Sequence, residues 1–159
     1  MIEVNENIEV ASPPEAVWAL LSDPRAVVDC VPGAALGALQ EDGSYDAALV
    51  VKFGPAKVSF QAKVSLEFDN AAMSGRVSSR GRDNQGGTRV KTAMTFKVLP
   101  GAAPGTSTIP IDAQVEISGR LASLVESGAA LVTKRMTGEF TERLAARLAG
   151  ASVVKAVEN

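Results

Sequence analysis

The chain has 159 residues, 46% of them hydrophobic, with 18 acids against 16 bases, a net charge of −2 and no histidine. That length buries one real core, the charge balance argues against nucleic acid as a partner, and without histidine neither a Ser-His-Asp triad nor a usual zinc site can be built. The single cysteine, Cys30, excludes an internal disulfide and fits a reducing cytoplasm, while no apolar run reaches the ~18 residues of a membrane span and the N-terminal residues do not read as a signal peptide.

Residues 2–10 carry Ile2, Val4, Ile8 and Val10 at every second position, broken only by Glu6, which predicts a half-buried strand. Ser12-Pro13-Pro14-Glu15 reads as a capping box with proline in the first turn, opening a short helix through Val17, Trp18, Leu20 and Leu21. Asp23-Pro24 starts a second short helix with Val27, Val28 and Val31 inward, and Pro32-Gly33 ends it. A second strand is expected over 34–41, and Asp42-Gly43 is a hairpin turn.

The stretch 44–119 then alternates apolar and polar residues. Tyr45 to Phe53, Val58 to Phe68, Met73 to Ser79, Val90 to Val98 and Ile109 to Ile117 each place one residue in two on a dry face. The turns between them fall at Gly54-Pro55, at Asp69-Asn70, in a glycine-rich loop over 81–87 and in a loop from Pro100 to Gly105. Five such segments joined by short turns predict an antiparallel meander that twists and curls. A helical pattern over 120–149 follows, with Leu121, Leu124, Val125, Val132, Met136, Phe140, Leu144 and Leu148 at three- and four-residue steps. Beyond Val132 the step is strictly four, so the stripe drifts about 40° per step, as on a helix that crosses a curved surface or bends. Gly128 and Gly138 mark either a bend, space beside a ligand, or tight helix–sheet packing. A sheet curled around a helix can hold an apolar ligand between the two.

Few residues in this chain carry chemistry. The glycines of 81–87 join two strands and read as conformational, not as a phosphate cradle. The carboxylates Glu41, Asp42, Asp112 and Glu116 fall at turns or on the wet face. No metal site and no catalytic residue is expected. Cys30 sits among valines as packing or as a cavity wall, and Trp18 is either core or a wall for a planar ligand. Arg76, Arg80, Arg82, Arg89, Lys91 and Lys97 crowd one stretch. They either dock an acidic protein or an anionic membrane surface, with Arg76, Arg80 and Arg89 the candidate partner-binding residues, or pair across strands with Asp112 and Glu116.

The order strand, two short helices, six strands, long helix resembles the helix-grip fold of the START and Bet v 1 superfamily. Within it, Pro14-Glu15-Ala16-Val17-Trp18 with Leu21, then Asp23-Pro24 and Cys30-Val31-Pro32-Gly33-Ala34, look like the G-subunit family of carbon monoxide dehydrogenase. So do Val51-Lys52-Phe53-Gly54-Pro55, Gly81-Arg82-Asp83 before Gly86-Gly87, Ile117-Ser118-Gly119-Arg120-Leu121, and Phe140 followed by Leu144. The resemblance implies an α+β helix-grip domain over 1–150, with a curved antiparallel seven-stranded sheet wrapped on the C-terminal helix and a short tail at 151–159. It implies no enzyme and no cofactor. The expected role is a lipid or quinone carrier linking a molybdenum-containing dehydrogenase to the membrane or its quinone pool, cytoplasmic or peripheral at the inner membrane face. Many members have a long tail that helps membrane attachment; this chain stops at Asn159, so transient contact is expected rather than anchoring.

The expected cavity lining is Trp18, Val28, Cys30, Val51, Phe53, Phe60, Ala62, Met94, Phe96, Val115, Val132, Met136 and Phe140. The alternatives are a small helix-grip enzyme of the cyclase or hydratase kind, with Tyr45 and Cys30 as its only candidate proton-transfer groups, and an assembly factor for a molybdenum hydroxylase.

Overall fold

Alternation in sequence becomes alternation in burial. The computed structural model describes residues 1–158, with side chains to Gly150. The elements are β1 (Ile2–Val10), α1 (Pro14–Leu21), α2 (Pro24–Val28), β2 (Ala34–Leu39), β3 (Tyr45–Phe53), β4 (Ala56–Asp69), β5 (Ser74–Asp83), β6 (Thr88–Lys97), β7 (Leu99–Pro100), β8 (Ser107–Gly119) and α3 (Ala122–Glu158). Along β4, exposed Lys63, Ser65 and Glu67 alternate with half-buried Val64, Leu66 and Phe68. The order is β1-β8-β6-β5-β4-β3-β2, antiparallel throughout, with the two-residue β7 added to β8. This is the expected α+β helix-grip architecture; α3 lies along the dry face and runs to Glu158, through most of the segment expected as a tail.

Four local expectations shift. β2 ends at Leu39, and the turn to β3 is closed by Asp42, whose Oδ1 accepts from Ser44 N at 3.0 Å and from Ser44 Oγ at 2.6 Å. Those bonds hold the Asp42 carboxyl below its ordinary range. Ser12 is no cap: α1 starts after Pro13 without a side-chain cap. Ser12 is instead buried, and its carbonyl accepts from Ser107 Oγ at 2.6 Å, tying β8 to the entry of α1. Gly81 to Asp83 belong to β5, so only 84–87 form the turn. Gly81 lies against β4, where an added Cβ would meet Gln61 O at 2.7 Å, so no side chain fits. In α3, an added Cβ on Gly128 would stand 3.0 Å from the Phe53 ring, while Gly138 faces open space. Tight packing is therefore the reason for Gly128, and Gly138 lines nothing.

The core is split in two. One cluster holds Ile8, Val10, Val17, Trp18, Leu21, Cys30, Val98, Ile109, Leu144 and Leu148, with Phe68, Phe96, Ile111 and Phe140 packed on it. The other holds Val51, Phe53, Val58, Val125 and Val132, with Leu49, Phe60, Ile117, Leu121, Leu124 and Met136 against it. Every residue of the drifting stripe lands in one cluster or the other, the first half of α3 in the second and the last half in the first. The start of α3 is pinned by the β5–β6 turn. Buried Asp83 accepts from Thr88 N at 2.9 Å, and Thr88 Oγ1 accepts from Leu121 N at 2.9 Å.

Both anchors can be weighed by substitution. Leu144 is 0% exposed, so Leu144→Ala is expected to cost about 2–5 kcal/mol in urea unfolding. Asp83→Ala strands the Thr88 amide and is expected to cost about 1–3 kcal/mol by the same measurement.

Candidate functional site: a hollow between the two cores

Between the clusters, three rows of inward-facing residues cross the sheet. The register aligns Ala47, Ala62, Gly81, Val90 and Ile117; then Tyr45, Val64, Ser79, Thr92, Val115 and Ile2; then Leu66, Val77, Met94, Ala113 and Val4. Adjacent strands lie about 4.8 Å apart, so the middle row spans six strands. Apart from Ile2 and Ile117, none of these residues belongs to either cluster. Nearly all are half-buried although their parity points them at α3. In the neighbouring rows Ile109 is sealed at 1% exposed and Val51 and Val58 at 6%, while Phe60, Phe68, Phe96 and Ile111, packed against the clusters, are half-buried. The backbone of α3 comes closest to β1, β3, β8 and α1. The helix thus rests on the sheet's flanks and on α1, above a floor made by β4, β5 and β6.

The floor is apolar with three hydroxyls in one row, those of Tyr45, Ser79 and Thr92. Among the described residues no buried side-chain nitrogen or oxygen lacks a partner, and none of these three hydroxyls is hydrogen-bonded to another described residue. They are therefore accessible to solvent or to a ligand. Glu6 also points inward, half-buried at the β1 edge opposite Ile111. Among the described residues no group of acids and cysteine could hold a metal ion.

The structure divides the residues expected as cavity lining into three groups. Trp18, Cys30, Phe96 and Phe140 fall in or against the first core cluster. The Trp18 ring stands edge-on to Phe68 at 5.9 Å and tilted to Phe96 at 6.1 Å, and its Nε1 donates to Asn70 Oδ1 at 3.0 Å. Val51, Phe53, Phe60, Val132 and Met136 fall in or against the second. Ala62, Met94 and Val115 lie on the floor between them. Val28, at the end of α2, is half-buried and joins neither cluster. Periodicity alone does not single out Tyr45, Val64, Ser79, Thr92 and Val4 as lining, and it reads Glu6 only as a break in a pattern. Alternation marks the inward parity of each; what it lacks is their distance from the helix.

The opposite face of the sheet holds an open concavity of about 1100 Å³, lined by exposed side chains that include Lys63, Arg80, Arg82, Arg89 and Lys91 and reaching down to Ala47, Ala62, Gly81, Val90 and Ile117 of the first row. Of the expected partner-binding residues, Arg80 and Arg89 lie here, while Arg76 sits apart, 4.0 Å from Glu67. Among the described residues neither Asp112 nor Glu116 forms an ion pair with any of these bases.

The fold recurs in solved structures. A conserved protein from Geobacillus kaustophilus superposes with a TM-score of 0.80 at 20% identity, covering 94% of this chain and 97% of that one. A START superfamily protein from Mycobacterium smegmatis gives 0.60 at 18% identity, over 94% and 98%. A point mutant of norcoclaurine synthase from Thalictrum flavum gives 0.61 at 19%, over 95% and 96%. At these identities the likeness is one of fold. No curated protein matches the sequence. No helix among the described residues is long and apolar enough to cross a membrane. The family model for the carbon monoxide dehydrogenase G subunit (CoxG) matches residues 7–149, and the chain belongs to that family, whose helix-grip fold suggests a binder of hydrophobic ligands.

Proposed function

We propose that the protein binds an apolar small molecule in the hollow between α3 and the floor of β4, β5 and β6, as a non-enzymatic carrier. The ligand class is a lipid or quinone-like molecule, a greasy body with a hydrogen-bonding group. The observation that supports this most is the split core, between whose two clusters the inward-facing residues of β4, β5 and β6 are only half-buried. Burial supplies the affinity: at about 25 cal/mol per Å², roughly 350 Å² of apolar ligand surface offsets enough water contact for micromolar binding before association costs. The Tyr45, Ser79 and Thr92 hydroxyls supply orientation, because an apolar pocket fixes its ligand through a few placed polar groups. Through its family, the proposed setting is a molybdenum-containing dehydrogenase that exchanges such a ligand with the membrane.

An enzymatic reading has one observation in its favour, the inward, half-buried Glu6 on β1, which lies five strands from Tyr45 in the sheet order. Cys30 does not help it. That thiol is 0% exposed, bonded to Ala26 O at 3.6 Å, and its pKa is raised by burial. It therefore stays protonated at neutral pH and is neither a base nor a nucleophile.

Titration with decylubiquinone, followed by quenching of Trp18, the sole tryptophan, is expected to saturate at micromolar concentrations. Ser79→Phe fills the floor and is expected to abolish the quench while the circular dichroism spectrum stays intact; unchanged quenching would place the ligand elsewhere. Thr92→Val and Ser79→Ala are expected to weaken binding by several-fold each, about one hydrogen bond's worth. Cys30 is expected to resist a thiol-specific disulfide reagent at pH 7 and to react at once in denaturant. The sign of its pH effect follows from the raised pKa. Cys30 leaves stability unaffected below the ordinary thiol range, and urea stability falls as pH climbs through that range, where only the unfolded chain ionises.

A further inference from the structure

The solvent face of the same sheet carries an arrangement that folding does not favour. Lys63 lies directly opposite Arg80, Arg80 opposite Lys91, and Arg82 opposite Arg89. Like charges facing each other across a strand pair destabilise a sheet. Among the described residues, none of these five side chains is in an ion pair. The two carboxylates on the same lining stand at the ends of this row, Asp46 opposite Lys63 and Glu116 opposite Lys91, without an ion pair to either, so five cations face two acids. A chain of net charge −2 therefore concentrates repelling cations at one place. That place is concave, about 1100 Å³, and small residues, Ala35, Gly37 and Ala48, line its other flank.

We propose that this trough is a docking site for an acidic helical segment of a partner protein. It goes beyond the ligand reading and does not depend on it. Three observations select this occupant. The lining carries five cations against two carboxylates, so it complements an acidic partner. The cations repeat across strands about 4.8 Å apart, close to the 5–6 Å between side chains three or four residues apart on a helix. The small flank leaves room for a rod about 10–12 Å wide to approach the backbone. An extended anionic plane fits less well, because the sheet outside the trough carries exposed acids, Glu3, Glu9, Glu67 and Asp112, which a bilayer would meet at the same time.

The test uses the full chain with three probes at low and at physiological salt: a fluorescein-labelled helical peptide with glutamates at i and i+4 spacing, vesicles of equal parts phosphatidylcholine and phosphatidylglycerol, and a single-stranded oligonucleotide. The peptide is expected to bind by anisotropy, more weakly as salt rises, and more tightly than either other probe. In the Arg80→Glu, Arg89→Glu double variant, peptide affinity is expected to fall by about tenfold or more. Its melting temperature is expected to hold or rise, because reversal removes the facing repulsion. Arg80→Gln with Arg89→Gln serves as the milder pair if the reversal does not fold. Absence of peptide binding, preference for vesicles or oligonucleotide, or unchanged affinity in the charge variants would each overturn the proposal. A lowered melting temperature would overturn its premise that the cations are held against folding.

Discussion

Everything distinctive about this molecule depends on how α3 meets the sheet: its stripe enters both core clusters, while its backbone comes closest to β1, β3 and β8 and not to β4, β5 and β6. At one end, Leu121 is held through Thr88 to the buried Asp83, and Val125 and Val132 press on Phe53. At the other, Leu144 and Leu148 close over Val17, Trp18 and Cys30. Between these anchors the helix is a single unbroken rod, so it spans the curved sheet as a chord spans an arc. The chord cannot descend to the arc without breaking one of its anchorages. The inward residues of β4, β5 and β6 stay half-buried because the helix is held closest to the strands on either side of them.

This division separates the residues that carry stability from those proposed to meet a ligand. The buried volume that resists unfolding lies in the two clusters, and the floor of Tyr45, Val64, Ser79, Thr92 and Val115 contributes comparatively little to it. A polar residue in a packed core must find a partner. Ser79 and Thr92 have none among the described residues, and the structure tolerates this because their hydroxyls are not sealed off.

The sequence makes the faces legible but not the depths. Period-two alternation places Val64, Met94 and Val115 on the inner side, and the three- and four-residue stripe picks out α3 residues that enter a cluster. Parity cannot say that Val58 is sealed while Val64, three pairs along, is not; that depends on where a helix seventy residues later crosses overhead. The same limit explains Ser12, whose spacing to Glu15 fits a capping box although its real partner is Ser107, ninety-five residues away. It also explains why Lys63 does not stand out beside Arg80. The bases between 76 and 97 form a run in sequence, whereas Lys63 joins them only through the β4–β5 register.

The two candidate sites are closer than their opposite chemistry implies. Lys63 and Val64, Ser79 and Arg80, and Lys91 and Thr92 are neighbours in the chain, one of each pair on the ligand floor and the other in the basic trough. The same β4, β5 and β6 backbone forms the back wall of both. A rigid wall would let each site work alone, but a curved sheet with no core packed on its central floor has room to flatten or tighten. Should a ligand in the hollow change that curvature, it changes the spacing of the cations behind it. Linkage then requires that a docked acidic segment alter ligand affinity by the same factor. Three pleats are thus the shortest physical route by which cargo and partner could be coupled, and it needs no residue beyond those that already build the two surfaces.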